Sequence, residues 1–107
     1  ISAEGLTIVL GQLMRNAAEN GARQVRLRVE RSSTDLQVLV ADDGCGISPG
    51  NAERIFDPFF TTGRETGGTG MGLAIVRNIL QAHRARIRLL SGTGGATFRL
   101  TFDLGYP

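Results

Sequence analysis

Apolar residues near the start of the chain recur at three- and four-residue intervals, at Leu6, Val9, Leu10, Leu13, Met14 and Ala17. That period is one stripe of an amphipathic helix and predicts a helix over residues 2–20. Asn20-Gly21 is a fitting stop, because both residue types tolerate the left-handed conformation of a helix C-cap. The period then becomes two. Val25, Leu27 and Val29 alternate with Gln24, Arg26, Arg28 and Glu30, and Leu36, Val38 and Val40 alternate with Gln37 and Leu39. Each run predicts a strand with one buried and one wetter face, and Ser32-Ser33-Thr34-Asp35 suits a hairpin turn between them.

Residues 50–56 read as a short helix that Pro58 breaks, with Phe56, Phe59 and Phe60 as anchors for a core or an interface. The stretch Gly63 to Gly70 is polar, glycine-rich and without period, which predicts a mobile loop able to act as a lid. A second long helix is predicted over 71–84, with Met71, Ile75, Val76, Ile79, Leu80 and His83 on its buried side. Ile87 and Leu89 mark another strand. After a turn at 91–95, Phe98, Leu100, Phe102 and Leu104 alternate with Thr97, Arg99, Thr101 and Asp103 in the last one. The predicted order is α-β-β-α-α-β-β. Adjacent strands with short turns imply an α+β, two-layer α/β sandwich, with a mostly antiparallel, mixed sheet and helices on one face. A doubly wound dinucleotide fold needs alternating strands and helices, and the order excludes it.

At 107 residues the chain, 1–107, is one domain with room for a single core. A 41% hydrophobic and 21% charged composition is ordinary for a globular protein, and no apolar run is long enough to span a bilayer. Direct membrane insertion of this chain is therefore not expected. It begins with Ile1 rather than Met, so it reads as a piece excised from a longer parent, with any membrane anchor lying outside it. The net charge is +2, every basic residue among the 12 is arginine, and these are scattered along the sequence with one Tyr and no Trp. Nothing there argues for a nucleic-acid partner. A lone cysteine, Cys45, excludes an internal disulfide and fits a reducing, cytoplasmic compartment; with a single histidine there is no zinc constellation.

Three stretches carry candidate chemistry. Gly67-Gly68-Thr69-Gly70-Met71-Gly72 runs straight into a helix, an arrangement in which backbone N–H groups and the helix dipole can meet an anion such as phosphate. Asp42 and Asp43 end a strand just before Gly44-Cys45-Gly46-Ile47. There a flat ligand can lie against the backbone while an acceptor-only carboxylate receives an exocyclic amine such as that of adenine. Gln12, Asn16 and Asn20 stand four residues apart, so their amides share one helix face, which suits either a solvated surface or a binding one.

With these pieces in order, the chain resembles the ATP-binding catalytic domain of sensor histidine kinases, in the wider group (GHKL, or Bergerat fold) that includes gyrase and the MutL repair proteins. The resemblance rests on five blocks covering nearly the whole chain. Gln12-Leu13-Met14-Arg15-Asn16-Ala17 is similar to the N box, and Asp42-Asp43-Gly44-Cys45-Gly46-Ile47 to the first glycine box. Phe56-Asp57-Pro58-Phe59-Phe60-Thr61-Thr62 is similar to the F box and Gly68-Thr69-Gly70-Met71-Gly72-Leu73-Ala74 to the second glycine box. Gly92-Thr93-Gly94-Gly95-Ala96-Thr97-Phe98 is similar to the last glycine block. The resemblance implies ATP and Mg²⁺ as cofactors. Asn16 would ligate the metal, and Asp42 would accept from adenine with Gly44, Gly46 and Ile47 beside it. Gly68, Gly70 and Gly72 would form the backbone cradle of the phosphates, Thr97 would lie beneath the adenine, and Asn20, Thr69, Met71 and Leu73 would complete the ATP-binding set.

ATP-hydrolysing members of that group carry a glutamate one turn before the magnesium asparagine, and here Gln12 occupies the place. An amide cannot take a proton from water at neutral pH. The resemblance therefore implies phosphoryl transfer to a histidine on a separate dimerisation domain, followed by a response regulator downstream. Arg64 is expected either at the γ-phosphate or as an exposed lid charge. Glu19 and Asn20 depart from the basic and aromatic residues usual at their positions. A non-catalytic nucleotide-binding pseudokinase or docking module, and an anti-sigma-factor-type serine kinase of the same fold, are the alternative readings.

Overall fold

A computed structural model describes residues 3–47, 50, 54–57 and 72–104. Helix α1 runs Ala3–Glu19, and strands β1 (Val25–Arg31) and β2 (Asp35–Asp42) follow it. Helix α2 (Gly72–Ala82), β3 (Ala85–Ser91) and β4 (Thr97–Asp103) complete the described elements. The strands form one sheet in the order β1-β2-β4-β3, and every pairing in it is antiparallel. The two-layer α+β sandwich expected from the strand and helix order is the fold observed; the mixed sheet is, over the described residues, purely antiparallel.

Alternation in β4 sends Phe98, Leu100 and Phe102 toward the helices, opposite Val40, Val38 and Leu36 of β2 and Leu89, Ile87 and Ala85 of β3. Val9, Leu13, Val76 and Leu80 close over them, and Val9, Val76, Leu80 and Leu100 are fully buried. Burying side chains of this size is worth about 1.5–3 kcal/mol each, so this layer supplies most of the fold's driving force. The end of α1 is a Schellman cap. Ala22 N–H reaches the Ala17 carbonyl at 3.0 Å, Gly21 N–H reaches that of Ala18 at 3.0 Å, and Gly21 takes φ +79°. The β1–β2 hairpin turns on Ser32, whose Oγ accepts the N–H groups of Thr34 and Asp35 at 3.2 and 3.0 Å.

Four expectations change. β1 does not have a buried face: Leu27 is 48% and Val29 63% exposed, because the buried helix residues cluster with side chains of β2, β4 and β3, and of this edge strand only Val25 packs against that core. Met14 lies on the flank of the α1 stripe and is exposed, and His83 falls beyond the end of α2 and is also exposed. Its neighbour Arg84 has φ +57°, which turns the chain sharply into β3. Finally, residues 54–57 form a turn closed by Asp57 N–H to the Arg54 carbonyl at 3.0 Å rather than helix, while 51–53 lie outside the described residues. Phe56 nevertheless anchors as expected, with Ile55 buried beside it. Phe56 meets Phe98 edge-on at 6.3 Å between centroids, and the Arg77 guanidinium stands 5.9 Å from the Phe56 ring centre.

Candidate functional site

The three amides, Gln12 and Asn16 of α1 and Asn20 just past its end, are all half-buried, and each does something different. Gln12 lies against the start of α2, where a Cβ added to Gly72 would stand 3.0 Å from Gln12 Oε1. Asn20 is a local fastener. Its Nδ2 donates to the Asn16 carbonyl at 2.9 Å, its own carbonyl accepts Cys45 N–H at 2.9 Å, and its Oδ1 accepts the Cys45 thiol at 3.5 Å. Asn16, between them, has a buried Nδ2 with no hydrogen-bond partner among the described residues. A buried amide left unmatched costs about 1–3 kcal/mol. Since amide oxygen and nitrogen are interchangeable by a flip, this side chain offers either a donor or an oxygen ligand to something the described residues do not supply.

Asp42 closes the β2 end of the site. Its Oδ1 accepts Gly44 N–H at 2.9 Å and Ala96 N–H at 3.1 Å, and its N–H returns to the Ala96 carbonyl at 2.9 Å. The second carboxylate oxygen makes no hydrogen bond among the described residues, so the side chain is oriented with one acceptor in hand. Asp43 has a different task. Its Oδ1 accepts Arg23 N–H at 2.7 Å and Gln24 N–H at 2.9 Å, tying the α1–β1 loop to the end of β2. The Gln24 and Arg23 N–H bonds hold its pKa below the ordinary carboxylate value.

The glycines of this loop are required by packing of backbone on backbone. Gly46 has φ +79°, and a Cβ there would run into the Gly92 carbonyl, which also accepts Ile47 N–H at 3.0 Å. A Cβ at Gly44 would stand 2.8 Å from the Asn20 carbonyl, and one at Gly95 would strike the Asp42 carbonyl. The loop 42–47 is thus clamped between the C-terminal end of α1 and the β3–β4 turn, with Ile47 packed on the core.

Of the residues singled out in the sequence, Gln12, Asn16, Asn20, Asp42, Gly44, Gly46, Ile47 and Gly72 line one continuous strip, with Leu73 buried just behind it. Gln12 to Asn20 is eight residues, about 12 Å along the helix axis. Thr97 is not brought to the strip. It pairs with Ala41 and alternates with Phe98, which puts it on the opposite face of the sheet from Asp42. The residue that reaches Asp42 is Ala96, through its backbone. Nothing in an alanine signals such a contact; only its place after the glycines of the last block could have suggested it. Arg64, Gly68, Thr69, Gly70 and Met71 lie outside the described residues, as do Phe59, Phe60 and the expected lid at 61–70.

The family described as histidine kinase-, DNA gyrase B- and HSP90-like ATPases matches residues 1–106, and the chain belongs to it. Within it, the chain is 39% identical over 105 residues to the signal transduction histidine-protein kinase AtoS of Escherichia coli, covering 94% of this chain and 17% of that protein. It is 43% identical over 99 residues to the sensor histidine kinase ZraS of Salmonella typhimurium, covering 89% and 21% respectively. The chain thus spans about a fifth of the length of these relatives. Among solved structures, the nucleotide-free catalytic domain of histidine kinase ThkA superposes with a TM-score of 0.80 at 30% identity, over 95% of this chain and 69% of that one. A mycobacterial sensor histidine kinase, MprB, shares the fold with a TM-score of 0.82 at 24% identity, over 96% of this chain and 74% of that one. The chain is therefore an ATP-binding domain of the sensor histidine kinase type.

Proposed function

We propose that this domain binds Mg-ATP along the α1 strip and donates the γ-phosphoryl group to a histidine on a separate dimerisation domain of its parent chain, which then serves a response regulator. The observation that carries the reading is the Asn16 amide, buried and without a partner among the described residues, on the helix face between Gln12, which lies against Gly72, and Asn20, which lies with Asp42 against Gly44. Asp42 uses its remaining oxygen to accept the adenine amino group. The first N–H groups of α2, preceded by the glycines at 67, 68 and 70, hold the phosphates. Asn16 would hold Mg²⁺ through its Oδ1, since this hard cation prefers oxygen and keeps few protein ligands. When bound, the metal would supply charge neutralisation for the phosphates during transfer.

Gln12 lies where a water-activating base would stand, and an amide there leaves water without a proton acceptor. That favours an outside acceptor over hydrolysis. His83 is not that acceptor, since it belongs to the turn after α2 on the ATP-binding domain itself. The dimerisation domain, the regulator, Arg64 as the γ-phosphate contact and a cytoplasmic setting for the parent all belong to this proposal. No helix of the described residues is long and apolar enough to cross a membrane.

The test is transfer in trans. Incubation with γ-labelled ATP and an added histidine-bearing dimerisation domain of a related kinase should place acid-labile label on that domain. Nucleotide binding without any labelled histidine, across several such domains, would favour the pseudokinase reading instead.

A further inference from the structure

The sequence scatters its arginines, but the fold gathers five of them on the face of the sheet turned away from the helices. Register alternation places Arg26 and Arg28 of β1, Arg99 of β4 and Arg86 and Arg88 of β3 on that outer face. One row runs straight across the strands: Arg28 opposite Leu39, Leu39 opposite Arg99, Arg99 opposite Arg88. At the usual strand spacing the row is about 14 Å long. Arg28 is bridged to Glu30 at 3.1 Å, whereas Arg26, Arg86, Arg88 and Arg99 enter no ion pair among the described residues. Like charges directly opposite across an antiparallel pair are destabilising, so the Arg88–Arg99 pair works against the isolated fold. Arg86, Arg88 and Arg99 surround a cavity of about 290 Å³ with Thr101, which is 5% exposed. None of these residues belongs to the nucleotide strip.

We propose that this outer sheet face is a docking surface for an acidic segment of a protein partner, whose carboxylates lie along the Arg28–Arg99–Arg88 row. Charge complementarity selects a carboxylate-rich ligand, because guanidinium forks match carboxylates in paired hydrogen bonds. The same face also carries Glu30, Asp35 and Asp103 toward the hairpin end. A uniformly anionic partner, such as a bilayer surface or a nucleic-acid backbone, would meet those acids with repulsion. A protein segment of mixed charge can match both ends, and its acidic stretch need only cover the row. Among the described residues, the face offers no aromatic side chain on which bases would stack.

A labelled decaglutamate peptide, titrated into the 107-residue chain at low salt and followed by fluorescence anisotropy, tests this directly. The double variant Arg86→Gln/Arg88→Gln should weaken binding by about tenfold. Arg15→Gln/Arg23→Gln removes the same two charges away from the face and should change it by no more than about twofold. Arg28→Gln, on the other edge strand, supplies a second background should the first variant lose its fold, and it too should weaken binding. Saturating Mg-ATP should leave the peptide's affinity unchanged. The proposal is overturned by absent peptide binding, by equal losses in both double variants, or by competition from Mg-ATP. It is likewise overturned if phosphatidylserine vesicles or a DNA duplex bind this face more tightly than the peptide.

Discussion

Replacing Gly46 by alanine isolates the packing that holds the Asp42 side of the site. Two costs arise there. With φ at +79°, any residue with a Cβ loses about 1–2 kcal/mol relative to glycine. The new Cβ would also collide with the Gly92 carbonyl, so the loop must move and the Ile47 N–H bond to that carbonyl, 3.0 Å long, is stretched or lost. A buried hydrogen bond contributes about 1 kcal/mol, and leaving its partners unmatched adds more. The sum is about 2–4 kcal/mol. Gly94 is the internal control: its φ is +70°, but an added Cβ there meets nothing within 4 Å. Gly94→Ala should therefore cost only the backbone share, about 1–2 kcal/mol. Urea unfolding of both variants, read as a change in midpoint at constant slope, gives the comparison. Equal destabilisation of the two would refute the clamp between the 42–47 loop and the β3–β4 turn. Because that clamp also positions Asp42, Gly46→Ala should weaken ATP binding while Gly94→Ala should not.

Three further outcomes follow from individual contacts. Asp43 is held ionised by two N–H bonds, with its folded pKa below the unfolded one; its stabilisation is complete above the unfolded value and lost as pH falls through the folded value. In acid titrations of stability, the gap between wild type and Asp43→Asn should be constant near neutrality and narrow below about pH 4; a gap that widened in acid would contradict the assignment. Gln12→Glu supplies a carboxylate beside the start of α2 and should raise hydrolysis of ATP by water by about tenfold or more in a phosphate-release assay. An unchanged rate would show that the missing base is not what limits hydrolysis. Val29→Thr, on the uncovered edge strand, should shift stability by less than about 0.5 kcal/mol, whereas Leu100→Ala in the core should cost about 2–5 kcal/mol.

Much of this architecture was legible because it is periodic. The stripe Val9, Leu13 and Ala17, the alternation Phe98, Leu100, Phe102, the Asn20-Gly21 stop and the Ser32 turn each state their structure locally. What failed was non-local. Nothing in Leu27 and Val29 says that β1 is the edge the helices do not reach, since alternation reports which side chains share a face and not whether that face is covered. His83 continues a helical spacing one step past the point where Arg84 reverses the chain. In the site, the residue types flagged Asn16 and Asp42, but the division of labour between Asp42 and Asp43 depends on which backbone N–H groups lie nearby. The same limit explains Thr97 and Ala96: the strip uses a backbone N–H, and side-chain chemistry cannot announce one. The arginine face was hidden for the same reason, dispersed over three strands that meet only in the sheet.

The central claim is that the unpartnered Asn16 amide is a ligand for Mg²⁺ carried by ATP. Isothermal titration of ATP into the domain, with and without Mg²⁺, measures it most directly when paired with Asn16→Ala. The account predicts tighter binding with the metal in the wild type and loss of that gain in the variant, on the order of tenfold or about 1.4 kcal/mol. The variant's melting temperature should hold, because the Asn16 Nδ2 has no hydrogen bond to lose among the described residues. Magnesium-independent binding in the wild type, or an undiminished magnesium effect in Asn16→Ala, would contradict it.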